Sequence, residues 1–125
     1  MLDVNLWFGW IWITVGFVSG AAVGVYFYDP HWLGGYSSWR RRMVRLAHIS
    51  FLGTGLLNLA FVFTVATRKG DSPAEVTSWL FLAGAITMPL VCFLAAWKVG
   101  FRHLFFIPVG CLIAATTTLI VLGVL

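Results

Sequence analysis

Four long, almost uninterrupted apolar runs follow one another along the chain, parted by three short polar breaks. They cover about residues 6–28, 43–67, 73–97 and 104–125, and each reaches the roughly 20 residues that a helix needs to cross a bilayer core. In lipid the backbone must satisfy its own hydrogen bonds, which a helix does within one segment. The pattern predicts an all-α fold: an integral membrane four-helix bundle with short loops, antiparallel between neighbours, in one domain over residues 1–125. The first run carries no charge. Trp7, Trp10 and Trp12 crowd one end of it and Tyr26, Tyr28 and Trp32 the other, as expected for aromatic belts at two interfaces. Asp3 precedes this run and no Lys or Arg does, so it is expected to be a mature span and not a signal peptide.

The residues that interrupt the pattern carry most of the local information. Gly16, Gly20 and Gly24 recur every fourth position and are expected to form a helix-packing face, within the chain or toward a partner. Asn58 is the carboxamide deep in the second run, and is expected to face another helix and bond there. Pro89 should kink the third span and free the carbonyl of Ala85, with Thr87 near enough to help satisfy that region. In the breaks, Asp29-Pro30-His31 ends the first helix and Gly34, Gly35, Ser37 and Ser38 form a turn-rich loop. Ser72, Pro73 and Glu75 read as a capping box opening the third helix. Lys98 to His103 reads as a tight basic connection. Pro108 sits early in the fourth span, whose Thr116, Thr117 and Thr118 can bond back to helix carbonyls.

Composition agrees with lipid as the solvent. Of 125 residues, 61% are hydrophobic and 10% charged, and a soluble chain of this size could not enclose so much apolar surface. The net charge of +4 comes from only eight Lys and Arg, too few for a nucleic-acid footprint. Their placement is informative. Arg40, Arg41, Arg42, Arg45, Lys98 and Arg102 lie at the first and third connections. Arg68 and Lys69 lie at the second, offset by Asp71 and Glu75, with Asp3 at the N-terminus. The positive-inside rule places the arginine end in the cytoplasm and both termini outside, in the periplasm for a bacterial inner membrane. The cluster from Arg40 to Arg45 is also expected to anchor anionic lipid.

Candidate chemistry gathers at that same end. His31, His48 and His103 all fall there, and Cys92 and Cys111 flank the third connection. A haem b takes imidazole on its axial positions and cations on its propionates. His48 and His103 are the candidate axial ligands; Arg41 and Arg45, two turns and one turn before His48, are the candidate propionate partners. A soft metal such as Cu(I) is a second candidate, with Cys92 and Cys111 beside the histidines. The bland readings are an interfacial histidine and a thiol that behaves as a small apolar residue. Both cysteines lie in apolar runs, with no disulfide framework. Asp3, Asp29, Asp71 and Glu75 all stand at or beyond the ends of the runs and none lies near a midplane, which argues against a proton-coupled pump. No Ser/His/Asp set, carboxylate pair or phosphate loop is legible, and loops this short give an enzyme no soluble scaffold.

The leading expectation is a non-catalytic accessory subunit of a larger energy-converting membrane complex, partnered by other subunits or by copies of itself. The runner-up is a small haem b protein for electron transfer or haem handling. The third is a transporter or channel for a small neutral solute, with a polar seam of Asn58, Thr87 and Thr116.

Overall fold

The computed structural model describes residues 2–68 and 74–124. The Ser72 and Pro73 of the expected capping box, with Lys69 and Asp71, lie outside the described residues. Four helices, α1 (Leu2–Phe27), α2 (Trp39–Ala66), α3 (Ala74–Trp97) and α4 (Phe106–Thr118), follow one another. α4 is preceded by a 3-10 segment, Val99–Phe105, and followed by π-helical turns, Leu119–Val124. Each of the four is long and apolar enough to span a membrane, the 3-10 segment being counted with α4. They pack in sequence, α1 on α2, α2 on α3 and α3 on α4.

Local geometry sets two of the helix boundaries. α2 starts at Trp39, so the arginine run lies on its first turns. The reason is Ser38, extended at φ −66° and ψ 148°, whose Oγ accepts from the Arg41 N–H at 3.2 Å. An N-cap hydroxyl satisfies one of the orphan donors of the first turn and fixes the start there. The third connection is shorter than six residues. Lys98 alone is extended, and winding resumes at Val99. Arg102 and His103 therefore lie on the 3-10 segment.

The loop between α1 and α2 turns on three residues at positive φ, Leu33 (53°), Gly34 (90°) and Gly35 (103°). Leu33 has a Cβ and is strained there. Its carbonyl accepts from Ser38 Oγ at 2.6 Å, which ties the strained turn to the cap. At the other end of the bundle the four helices share one core. Phe61, Val62, Phe81 and Ala115 are buried, with Leu2, Leu6, Leu80, Leu112 and Leu119 packed around them. α2 and α3 form the interior pair: 44% of each apolar stretch is buried, against 17% for α1 and 11% for α4.

Candidate functional site

The α1–α2 seam is built from small residues in a seven-residue repeat. A Cβ on Gly9 would lie 2.7 Å from Leu59 Cδ2 and 3.0 Å from the Gly55 carbonyl. One on Gly55 would meet Ile13 at 2.9 Å and the Gly9 carbonyl at 3.0 Å. One on Gly16 would meet Leu52 at 2.6 Å, and one on Gly20 would run into the His48 imidazole. So positions 9, 13, 16 and 20 of α1 face 59, 55, 52 and 48 of α2. Gly24 stands apart, with nothing within 4 Å. A strict four-residue step drifts about 40° per step on a helix, so Gly24 has rotated roughly 80° away from Gly16. Alternating steps of four and three stay on the face, and that pattern includes Gly9 and Ile13. On α3, Gly84 receives Leu112 of α4 in the same way, at 2.6 Å.

Polar groups of different elements meet at several places; on the α3–α4 contact the hydroxyls of Thr77 and Thr118 lie 3.0 Å apart, and three further places are more extensive. The first joins three helices near the shared core. Asn5 Nδ2 donates to Asn58 Oδ1 at 2.8 Å, and Asn5 Oδ1 accepts from Ser78 Oγ. All three residues are fully buried. Asn58 Nδ2 donates to the Thr54 carbonyl at 2.9 Å. Thr54 and Ser50 repeat that back-bond down α2, to the carbonyls of Ser50 and Ala47. The hydroxyls of Thr87 and Thr116 are directed elsewhere, to carbonyls of Ala83 and Leu112 on their own helices.

The second place is the stretch of α3 before Pro89. Pro89 has no N–H to offer the Ala85 carbonyl. The indole Nε1 of Trp12, on α1, donates to that carbonyl at 3.0 Å. Phe8 stacks on the Trp12 ring at 4.7 Å and Phe51 meets its edge at 5.0 Å, which holds the indole in place. Trp39 does the same at the end of α3, donating to the Ala95 carbonyl at 2.7 Å.

The third is Arg41, which is only 1% exposed. Its Nη1 donates to the carbonyls of Asp29 (2.8 Å) and Trp32 (3.4 Å), and its Nη2 to the carbonyl of Phe27. Phe27 is the last residue of α1, whose closing carbonyls lack helical donors; Asp29 and Trp32 lie in the turn beyond it, where their carbonyls also accept from the N–H groups of Trp32 and Gly35. The guanidinium carbon also lies 4.0 Å from the Tyr36 ring centre, 4.3 Å from Phe27 and 5.5 Å from Trp32. Nε alone is buried without a partner among the described residues. Arg41 thus points at the end of α1, whereas Arg40, Arg42 and Arg45 are exposed.

His48 is half-buried in the α1–α2 seam, with Nδ1 3.3 Å from Ser19 Oγ. His103 is exposed on the 3-10 segment that packs against α3, so the two histidines lie in different places of the fold. Cys92 is buried, and Cys111 Cβ lies 3.5 Å from where a Gly84 Cβ would be. Gly84 and Cys92 are eight residues apart on α3, about 12 Å along its axis. Among the described residues no three of His, Cys, Asp and Glu come together as a metal site. Sequence reasoning missed Asn5, Trp12, Trp39, Gly9, Gly55 and Gly84. The available signals were the seven-residue spacing of Gly9 and Gly16 and the carbonyl orphaned by Pro89. No protein-family model, curated protein or solved structure matches the chain.

Proposed function

We propose that this small polytopic membrane protein is a non-catalytic subunit of a larger, energy-converting membrane assembly. The observation that carries the reading is how its glycines divide. Gly9, Gly16, Gly20, Gly55 and Gly84 are filled by the chain's own side chains or backbone, whereas Gly24, Gly53 and Gly110 have nothing within 4 Å. A glycine in a helix costs about 1 kcal/mol relative to alanine. Facing lipid it gains nothing in return, but it lets a further helix approach closely. Among the described residues these three open glycines lie on α1, α2 and α4, with Gly100 also open on the 3-10 segment, and α1 and α4 are the helices least enclosed by the fold. The same reading places the arginine end in the cytoplasm of a bacterial inner membrane and both termini outside. Exposed Arg40, Arg42 and Arg45, with Lys98 and Arg102, support that orientation and a contact with anionic lipid there.

The test is native mass in mild detergent with identification of the co-purifying chains. The expected result is a particle far above the 13.9 kDa of one chain. Gly110→Leu or Gly53→Leu should release the chain from it without loss of helix content. A wild-type chain that runs alone overturns the proposal.

A further inference from the structure

On the outside of the bundle, where α2 meets α3, two exposed stripes flank one groove. The Phe51 ring of α2 lies 6.4 Å from the Phe93 ring of α3. Phe93 is nonetheless 43% exposed, so it stands at the rim of that contact. Steps of four and three from Phe93 lead to Trp97 and Leu90, both exposed. On α2 the reference is Trp39, which reaches α3 through its bond to the Ala95 carbonyl. Arg42, about 60° round the helix from Trp39, is exposed, and Ile49, two turns further on the same stripe, is exposed too. The core lies on the other flank of the contact, where Ala47, Ser50 and Thr54 of α2 and Ala85, Cys92 and Ala95 of α3 are buried. Both stripes therefore open on the same side, away from the core.

Cations close this groove at one end. Lys98 follows Trp97 and is exposed, and its Nζ lies 4.8 Å over the Trp97 ring, which puts the ammonium on the α3 rim. The bond from Trp39 to Ala95 sets the start of α2 beside the end of α3. Arg42 is one turn inside that level and Lys98 one turn outside it, roughly 9 Å apart along the axis. Long side chains that snorkel to the headgroups bridge such a gap. No carboxylate among the described residues shares the rim. Asp3 and Glu75 stand at the opposite end of the bundle, and Asp29 is in the α1–α2 loop, where its Oδ1 accepts the His31 N–H.

We propose that this groove is a fixed site for one net-anionic phospholipid, its phosphate held between Arg42 and Lys98 and an acyl chain laid along Ile49, Phe93 and Leu90. The chemistry matches from the surface inward. Two cations at headgroup level suit a phosphodiester, an indole suits the interface, and the apolar stripes below suit a chain. The cations run without a break into an apolar groove, which suits a lipid and gives a free anion no use for the lower part. Arg45 is off the site, because it is three residues from His48 in the α1–α2 seam. Arg40 is off it too, rotated about 100° from Trp39 toward the core flank. The inference rests on the anionic-lipid contact proposed above and not on the subunit reading.

The experiment is native mass spectrometry of the chain released from vesicles of phosphatidylglycerol and phosphatidylethanolamine in equal parts, with matched acyl chains. The expected result is one retained phosphatidylglycerol per chain, enriched at least fivefold over phosphatidylethanolamine. Arg42→Gln and Lys98→Gln should each cut that retention at least fivefold, and Arg42→Lys should keep most of it. Arg45→Gln removes the same charge and should change it less than twofold. Ile49→Trp, at unchanged helix content, should cut it several-fold with every cation in place. Equal losses in Arg42→Gln and Arg45→Gln overturn the fixed site and leave the general anionic-lipid contact standing. Full retention in Ile49→Trp overturns the fixed site as well. A wild-type chain with no preference for phosphatidylglycerol overturns both. Should Arg42→Gln not fold, Lys98→Gln set against Arg45→Gln decides on the same terms.

Discussion

At one end of the molecule a buried arginine closes the end of α1; at the other, Asn5, Asn58 and Ser78 join three helices without a formal charge. Both sites are nearly inaccessible, and both satisfy polar groups that lipid cannot. They do so with different partners. Arg41 takes backbone carbonyls at the end of α1 and in the turn that follows, and its five donors in a planar fork can serve several at once. The two amides and the hydroxyl mostly take one another. The difference follows from what each place has to offer. The end of α1 and the turn after it present several carbonyls to one point, which suits a cation. The flanks of three continuous helices have their backbone groups already paired, so side chains must answer side chains.

That contrast sets the sizes of the expected effects. Arg41→Gln removes the charge-assisted bonds to the carbonyls of Phe27, Asp29 and Trp32 and should cost about 3 kcal/mol or more, given ~1.5–3 kcal/mol per charge-assisted bond. Reversible unfolding in mixed micelles measures it, and protease cleavage between Asp29 and Ser38 should rise in parallel. Arg41→Lys should recover only part, because one ammonium cannot span the three carbonyls. A cost below that of Asn58→Ala would break the comparison.

The amide cluster should be the weaker of the two. A double-mutant cycle of Asn5→Ala and Asn58→Ala is expected to give a coupling of about 0.6–1.7 kcal/mol, the range for interhelical hydrogen bonds in membranes. A coupling near zero would mean that the two amides pack without supporting each other.

The smallest effect sharpens the principle that an orphan carbonyl decides who its partner is. Trp12→Phe removes the donor to the Ala85 carbonyl and should cost about 1 kcal/mol. In a Pro89→Ala background the helix regains its own N–H at that carbonyl, so the same substitution should cost less. Equal costs in the two backgrounds would show that Trp12 acts through its stacking with Phe8 and Phe51 alone.

How much of this was legible along the chain depends on how far apart the partners are. Four apolar runs of adequate length determined four membrane helices, because hydrocarbon thickness and helix rise leave little choice. Pro89 determined that the Ala85 carbonyl would lack its helical donor, a matter of covalent structure. Ser38 and Lys98 set two boundaries through local backbone geometry that composition alone does not resolve. Only the tertiary structure decided that the donor at Ala85 is Trp12 and not the nearby Thr87, since the two partners are 73 residues apart and no local rule links them. It also decided that Arg41, one of three consecutive arginines, turns inward while Arg40 and Arg42 stay exposed. Helical rotation separates neighbours by about 100°, so one position of the three faced the end of α1. Likewise the repeat at 9, 13, 16 and 20 overrode the more visible one at 16, 20 and 24, because the α1–α2 seam is long. A four-residue stripe leaves such a seam within two steps, and an alternation of four and three does not.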